Sequence, residues 1–176
     1  ENFNFVLAAI AIVGVMFAHL GMNLADDYFD YIQVPQESRD NLVRKGIRAR
    51  TTKCPYFKDG SATLPQLRNA IIIFLAIAVA CGAIVAIFHF TTQLLWVVGI
   101  TFVLGIFYSA PPFKLSYYGF GELIIGIIFG PLLMVGVSLA GCAHIDTTIA
   151  MLSVPVGLLV TNILFTHSFL DKEADK

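Results

Sequence analysis

Five stretches of this chain are long, apolar and almost free of charge, and they leave few ways to fold it. They run over about Phe5–Met22, Ala70–Phe90, Leu94–Ala110, Leu123–Ala143 and Thr147–Leu170. The first contains no Asp, Glu, Lys or Arg. Crossing the hydrocarbon core of a bilayer takes roughly 20 apolar residues. Lipid cannot hydrogen-bond an open backbone, so each stretch is predicted to be a helix. Pro131 and Pro155 fall inside the fourth and fifth, where neighbouring helices commonly accommodate a kink. Composition agrees: 57% of the 176 residues are hydrophobic and 13% charged, against about 25% charged in an average soluble domain. The expected fold is an all-α membrane protein with about five transmembrane helices in a single domain, residues 1–176.

The charges that remain are sorted by position. Of the 11 Lys and Arg, eight lie between the first and second segments: Arg39, Arg44, Lys45, Arg48, Arg50, Lys53, Lys58 and Arg68. Lys114 lies between the third and fourth, and Lys172 and Lys176 follow the fifth. The connections around His89–Gln93 and His144–Asp146 hold none. Successive connections lie on opposite sides of a membrane, so every basic residue falls on one side, which the positive-inside rule makes cytoplasmic. Of the 12 Asp and Glu, only Glu1 and Asp146 fall on the other side. The net charge of −1 gives no sign of a nucleic-acid partner. Cys54, Cys81 and Cys142 form no CxxC and no metal spacing, and read as unpaired thiols.

The first apolar segment ends in "NLADDYFDY", Asn23 to Tyr31, with carboxylates at Asp26, Asp27 and Asp30. If the helix continues, Asn23, Asp27 and Asp30, spaced four and three apart, share one face. Asp171 and Asp175, four apart at the end of the fifth segment, do the same. Like charges at that spacing destabilise a helix unless something offsets them, and carboxylates at a membrane-embedded helix end point to function. Water at the interface could solvate them; a divalent cation would do more. Mg²⁺ prefers oxygen ligands and typically combines one or two carboxylates with substrate phosphates. Phosphates would also want Lys and Arg nearby, and the basic connection follows the first acidic cluster directly. Acids and bases on one membrane face therefore suit a metal–diphosphate complex better than a bare cation pathway. Each feature has a plainer reading: solvated helix ends for the acids, a topology signal for most of the bases. His19 and His167 read as interface residues, His89 and His144 lie on the opposite face, and Trp96 takes a membrane-belt position.

Taken together, these features resemble the UbiA superfamily of intramembrane prenyltransferases. "DDYFD", Asp26 to Asp30, is similar to that family's first Asn-Asp-x-x-Asp-type motif, and "DKEAD", Asp171 to Asp175, to its later Asp-x-x-x-Asp motif. "YSAPPFKLSYYGFGELIIGIIFGP", Tyr108 to Pro131, and "KCPYFKDGS", Lys53 to Ser61, resemble stretches of the branch that prenylates dihydroxynaphthoate in menaquinone synthesis. The resemblance implies a nine-helix UbiA-type bundle of which this chain would be an internal piece, lacking the first and last helices. It implies that Asp27, Asp30, Asp171 and Asp175, with Asp26 beside them, hold Mg²⁺ on the diphosphate of an allylic prenyl donor. Lys114 would bind that diphosphate, with Tyr108, Lys53, Lys58 and Asn23 around it. The implied partners are a prenyl diphosphate, a small aromatic acceptor and the lipid bilayer. The implied localisation is integral and multi-pass, with the active site on the cytoplasmic face.

The chain departs from the family pattern at two places. Asp26 stands where relatives usually carry Asn, and Val34 stands where many carry a further Asp, with Glu37 and Asp40 nearby. Other acceptors (hydroxybenzoate, homogentisate or a glycerol phosphate lipid) would use the same donor chemistry. A CDP-alcohol-type transferase would need an Asp-Gly-x-x-Ala-Arg run, and Asp59-Gly60 is followed by Ser61-Ala62-Thr63 instead. A cation or proton transporter would place its acids deep within the helices rather than at their ends beside bases.

Overall fold

The computed structural model describes residues 3–33, 55–58 and 60–171. Among them there is helix and no strand. Helix α1 is Phe5–Gln33. A single turn, α2, covers Pro55–Lys58. Three spanning helices follow: α3, Leu64–Phe88; α4, Thr92–Ser109; and α5, Gly121–Cys142. The last, α6, is Thr147–Asp171. All but α2 are long and apolar enough to cross a membrane.

The segments expected from hydropathy are all present, and two boundaries lie well outside the expected ones. Helix α1 does not stop at Met22; it runs on through Asn23, Asp26, Asp27 and Asp30. Helix α3 begins before Ala70, at Leu64, where the backbone N–H of Thr63 donates to Oε1 of Gln66 at 2.9 Å, and Pro65 occupies the first turn. A residue with no N–H costs nothing there, because first-turn donors have no intrahelical acceptor. Thr91 Oγ1 accepts from Leu94 N at 3.1 Å to start α4, and Asp146 Oδ1 accepts from Ile149 N at 2.9 Å to start α6. Hydropathy alone does not see such caps.

Helices in lipid gain little from burying one apolar face against another, so close approach of small residues matters. Gly126 and Gly130 on α5 face Ser153, Gly157 and Thr161 on α6, each set spaced by four. A Cβ at Gly130 would come within 2.6 Å of Gly157 Cα, and one at Gly157 within 2.7 Å of Gly126 O. These two backbones touch. The kink expected at Pro131 is a π turn, Ile128–Leu132, which absorbs the missing N–H inside α5. Helix α1 lies along α3, where a Cβ at Gly14 would sit 2.8 Å from that of Cys81 and the rings of Phe17 and Phe74 meet edge-on at 5.6 Å.

One end of the bundle gathers the start of α1, the α3–α4 and α5–α6 connections, and a small core of Val85, Leu94, Leu139 and Ala140. There the Asn4 N–H donates to Gly141 O at 2.9 Å and His89 Nδ1 donates to Ala140 O at 2.9 Å. The other end gathers the end of α1, the α2 turn, the α4–α5 connection and the end of α6. The outward-facing side chains are large and apolar, such as Ile87 at 76% and Met151 at 70% exposure. A monomer in water rarely leaves so much apolar surface uncovered; lipid solvates it.

Candidate functional site

Because α1 continues as a regular helix, residues four apart on it stack into stripes. His19, Asn23, Asp27 and Tyr31 form one stripe and Met22 and Asp26 another, so the neighbouring aspartates point roughly 100° apart. The two stripes meet different partners. Asn23 Nδ2 donates to His19 Nε2 at 3.3 Å, and the His19 ring packs edge-on against Phe129 of α5 at 5.0 Å. Tyr56 of α2 donates its hydroxyl to Asp27 Oδ2 at 2.7 Å, and next to it Phe57 packs on Tyr31 with ring centroids 4.3 Å apart. On the second stripe, a methyl at Gly105 of α4 would lie 3.3 Å from Met22 Cε. One turn further along both helices, the buried Ser109 donates to Asp26 Oδ1.

The connection after α4 folds back on itself at the same end. It contains a cis peptide between Pro111 and Pro112, and Lys114 adopts a left-handed backbone conformation with φ 44°. Lys114 N donates to Ala110 O at 3.1 Å and Tyr117 N donates to Lys114 O at 2.9 Å. Ser116 Oγ donates to Tyr108 O at 2.8 Å. Gly119, at φ 82°, closes the turn into α5. Lys114 is therefore carried on one short, internally bonded hook, which Ser116 ties to Tyr108 in the last turn of α4. Lys114 and Tyr108 are both half-buried.

Of the residues singled out from sequence, the structure brings Asp27 to the α2 turn and Asp26 to the last residue of α4. Asn23 is exposed on the Asp27 stripe. Asp30 is on α1, Lys58 ends α2 and Asp171 ends α6; their side chains, and Lys53 and Asp175 altogether, lie outside the described residues. Among the described residues no group of three or more His, Cys, Asp or Glu is gathered to hold a metal. The donors at the end of α1 are nonetheless oxygens, with the His19 imidazole turned to Asn23. One or two carboxylates completed by substrate phosphates is a common arrangement for Mg²⁺, and this donor set fits it. Sequence reasoning missed Ser109 and Tyr56. Each lies inside a stretch already singled out, but only the folded geometry aims it at an aspartate.

Comparison with known proteins covers the whole chain. A family model described as the UbiA prenyltransferase family matches residues 1–176. A 2-carboxy-1,4-naphthoquinone phytyltransferase of Synechocystis is 37% identical over 78 residues, 44% of this chain and 25% of that protein. A UbiA prenyltransferase domain-containing protein 1 of Dictyostelium discoideum is 32% identical over 74 residues, 42% of this chain and 22% of that protein. A 1,4-dihydroxy-2-naphthoate octaprenyltransferase of Mycobacterium tuberculosis is 25% identical over 170 residues, 96% of this chain and 53% of that protein. The chain thus spans about half the length, or less, of the curated relatives it matches. No solved structure matches it.

Proposed function

The chain belongs to the UbiA prenyltransferase family, and on that premise we propose that the protein transfers a prenyl group from an allylic prenyl diphosphate to dihydroxynaphthoate, in menaquinone synthesis. The bond from the allylic carbon to the diphosphate oxygen breaks. A bond from that carbon to a ring carbon of the acceptor forms, the ring gives up a proton, and diphosphate leaves. The observation that carries this reading is the meeting of Asp27 with the Tyr56–Lys58 turn at one end of a membrane bundle. It sets an acid for a cation beside a segment bearing bases for phosphate. Supporting the acceptor, the mycobacterial relative aligned over 96% of this chain carries dihydroxynaphthoate in its name.

The UbiA family is generally divalent-metal dependent. Asp27, Asp30, Asp171 and Asp175 would hold Mg²⁺, which would offset the negative charge of the departing diphosphate. Lys114, Lys58 and Lys53 bind diphosphate oxygens, together with Tyr108 from the last turn of α4. Asn23 supports the carboxylates one turn away. Asp26, held by Ser109, contributes from the edge of this set. The allylic carbon meets the acceptor ring between helices, where exclusion of water keeps the cation from being quenched. By sequence order every Lys and Arg belongs to the connections and tail on one side of the membrane, and on the positive-inside rule we read the site as opening on the cytoplasmic face.

The test is a screen of the purified full-length protein against aromatic acceptors and prenyl diphosphates of several lengths, with Mg²⁺ or with chelator. Prenylated dihydroxynaphthoate, formed only with Mg²⁺ and lost in Asp27→Ala, is the expected result. Transfer to hydroxybenzoate or homogentisate alone would overturn the acceptor, and transfer that persists in both Asp27→Ala and Asp171→Ala would overturn the site.

A further inference from the structure

We infer that Tyr56 is a positioning residue that aims the Asp27 carboxylate and ties it to the α2 turn; the inference rests on the site proposed above. Two contacts made by adjacent residues carry it. Tyr56 bonds Asp27 at 2.7 Å, and Phe57 packs on Tyr31, one turn further along the same stripe of α1. A turn of four residues held at two successive positions of one stripe has a defined register on α1, not a chance touch. The carbonyl of Tyr56 is held in turn: Ala62 N donates to it at 2.9 Å and Ser61 Oγ at 3.3 Å. The turn is thereby tied forward to the approach to α3 as well as back to α1.

The chemistry of the pair defines the role. A phenol donates to an ionised carboxylate, lowering the freedom of that carboxylate to rotate about its own bond. Asp27 is thereby presented to a cation in one orientation, with Oδ2 engaged by the phenol. The same bond holds the α2 turn against the acidic end of α1. Tyr56 itself need touch neither metal nor substrate.

The conservative substitution Tyr56→Phe removes the hydroxyl and keeps the ring that packs against Phe57 at 4.8 Å. Mn²⁺ binding, followed by its spin-resonance signal in the full-length protein with an unreactive prenyl thiodiphosphate present, gives a readout independent of turnover. Tyr56→Phe is expected to weaken Mn²⁺ binding about tenfold, the size of one lost hydrogen bond to a charged group. It should raise the KM for prenyl diphosphate in step and leave kcat at saturating metal and donor within about twofold. In an Asp27→Asn background the same substitution should add almost nothing, because its effect passes through Asp27. Unchanged Mn²⁺ affinity in Tyr56→Phe, or an undiminished extra loss in the Asp27→Asn background, would overturn the role of Tyr56. Wild-type protein that binds no Mn²⁺ with the analogue present would instead overturn the proposed site, together with the inference built on it. If Tyr56→Phe lowers thermal stability, the double-variant comparison still decides, since a purely structural loss adds fully to Asp27→Asn.

Discussion

Ser109 donates its hydroxyl to the carboxylate of Asp26, joining residues 83 apart in sequence. Ser109 is the last residue of α4 and is buried, so the bond ties the acidic end of α1 to the start of the hook that carries Lys114. The two adjacent aspartates thus have different surroundings, and their substitutions should separate. Asp26→Asn keeps an oxygen that can accept from Ser109 and is expected to hold kcat/KM within about fivefold of wild type. Asp27→Asn loses the charge at the proposed cation site and should cost at least about a hundredfold. Steady-state kinetics with saturating Mg²⁺ measure both, and equal losses would remove the distinction.

Ser109→Ala takes away this donor to the partly buried Asp26 carboxylate. A loss of about 1–2 kcal/mol is expected, from the cost of removing a hydrogen bond to a charged group. Because Asp26 is only partly buried, the lower end of that range applies. Unfolding by SDS titration in mixed micelles reads it directly.

The contact between α5 and α6 predicts a contrast among glycines. At Gly130 an added Cβ meets the backbone of Gly157, which cannot move aside, so Gly130→Ala is expected to cost about 1–3 kcal/mol. Gly82 and Gly99 have nothing within 4 Å of the corresponding position. There alanine should stabilise by roughly 0.5–1 kcal/mol through helix propensity alone. The same SDS titration distinguishes the two kinds of site.

Lys114 holds a backbone conformation at φ 44° that L-residues other than Asn and Asp seldom adopt. Lys114→Gly should therefore raise stability, by about 1 kcal/mol. It should also raise the KM for prenyl diphosphate, by about tenfold or more, because the charge is gone. A more stable but weaker-binding variant is an unusual pair of outcomes, and calorimetry with steady-state kinetics on one preparation would detect it.

Chelation should abolish transfer and added Mg²⁺ or Mn²⁺ should restore it, since the donors at the end of α1 are carboxylate oxygens. Activity in excess EDTA would remove the cation from the proposed chemistry.

The helices were legible from hydropathy because lipid accepts only one solution for an apolar run of that length. Their ends were less so. The true start of α3 depends on Thr63, Pro65 and Gln66, whose polarity reads as connection until the cap is seen. The acidic cluster was visible at once, and the spacing of Asn23 and Asp27 correctly placed them on one face of a continuing helix. That Asp26 belongs to a different stripe follows from the same periodicity. Its partner does not, because nothing local in sequence pairs α1 with Ser109. Tyr56 was hidden for the same reason: a tyrosine beside a phenylalanine reads as packing until the fold sets an aspartate 2.7 Å from its hydroxyl. Gly126 and Gly130 with Ser153, Gly157 and Thr161 did carry a signal, small residues at intervals of four, but it names an interface and not its mate.

Helix α1 has 29 residues, about 43 Å of rod at 1.5 Å per residue, against a hydrocarbon core of about 30 Å. About 20 residues counted from Phe5 match that thickness, and Asp26 and Asp27 follow closely on them along the helix. Such placement matches the shape of an amphiphile. The proposed donor, a prenyl diphosphate resting in a leaflet, would have its anionic head near this depth and its tail below, and would enter sideways between helices. Transfer by the proposed route would require neither dragging the head through oil nor lifting the tail into water.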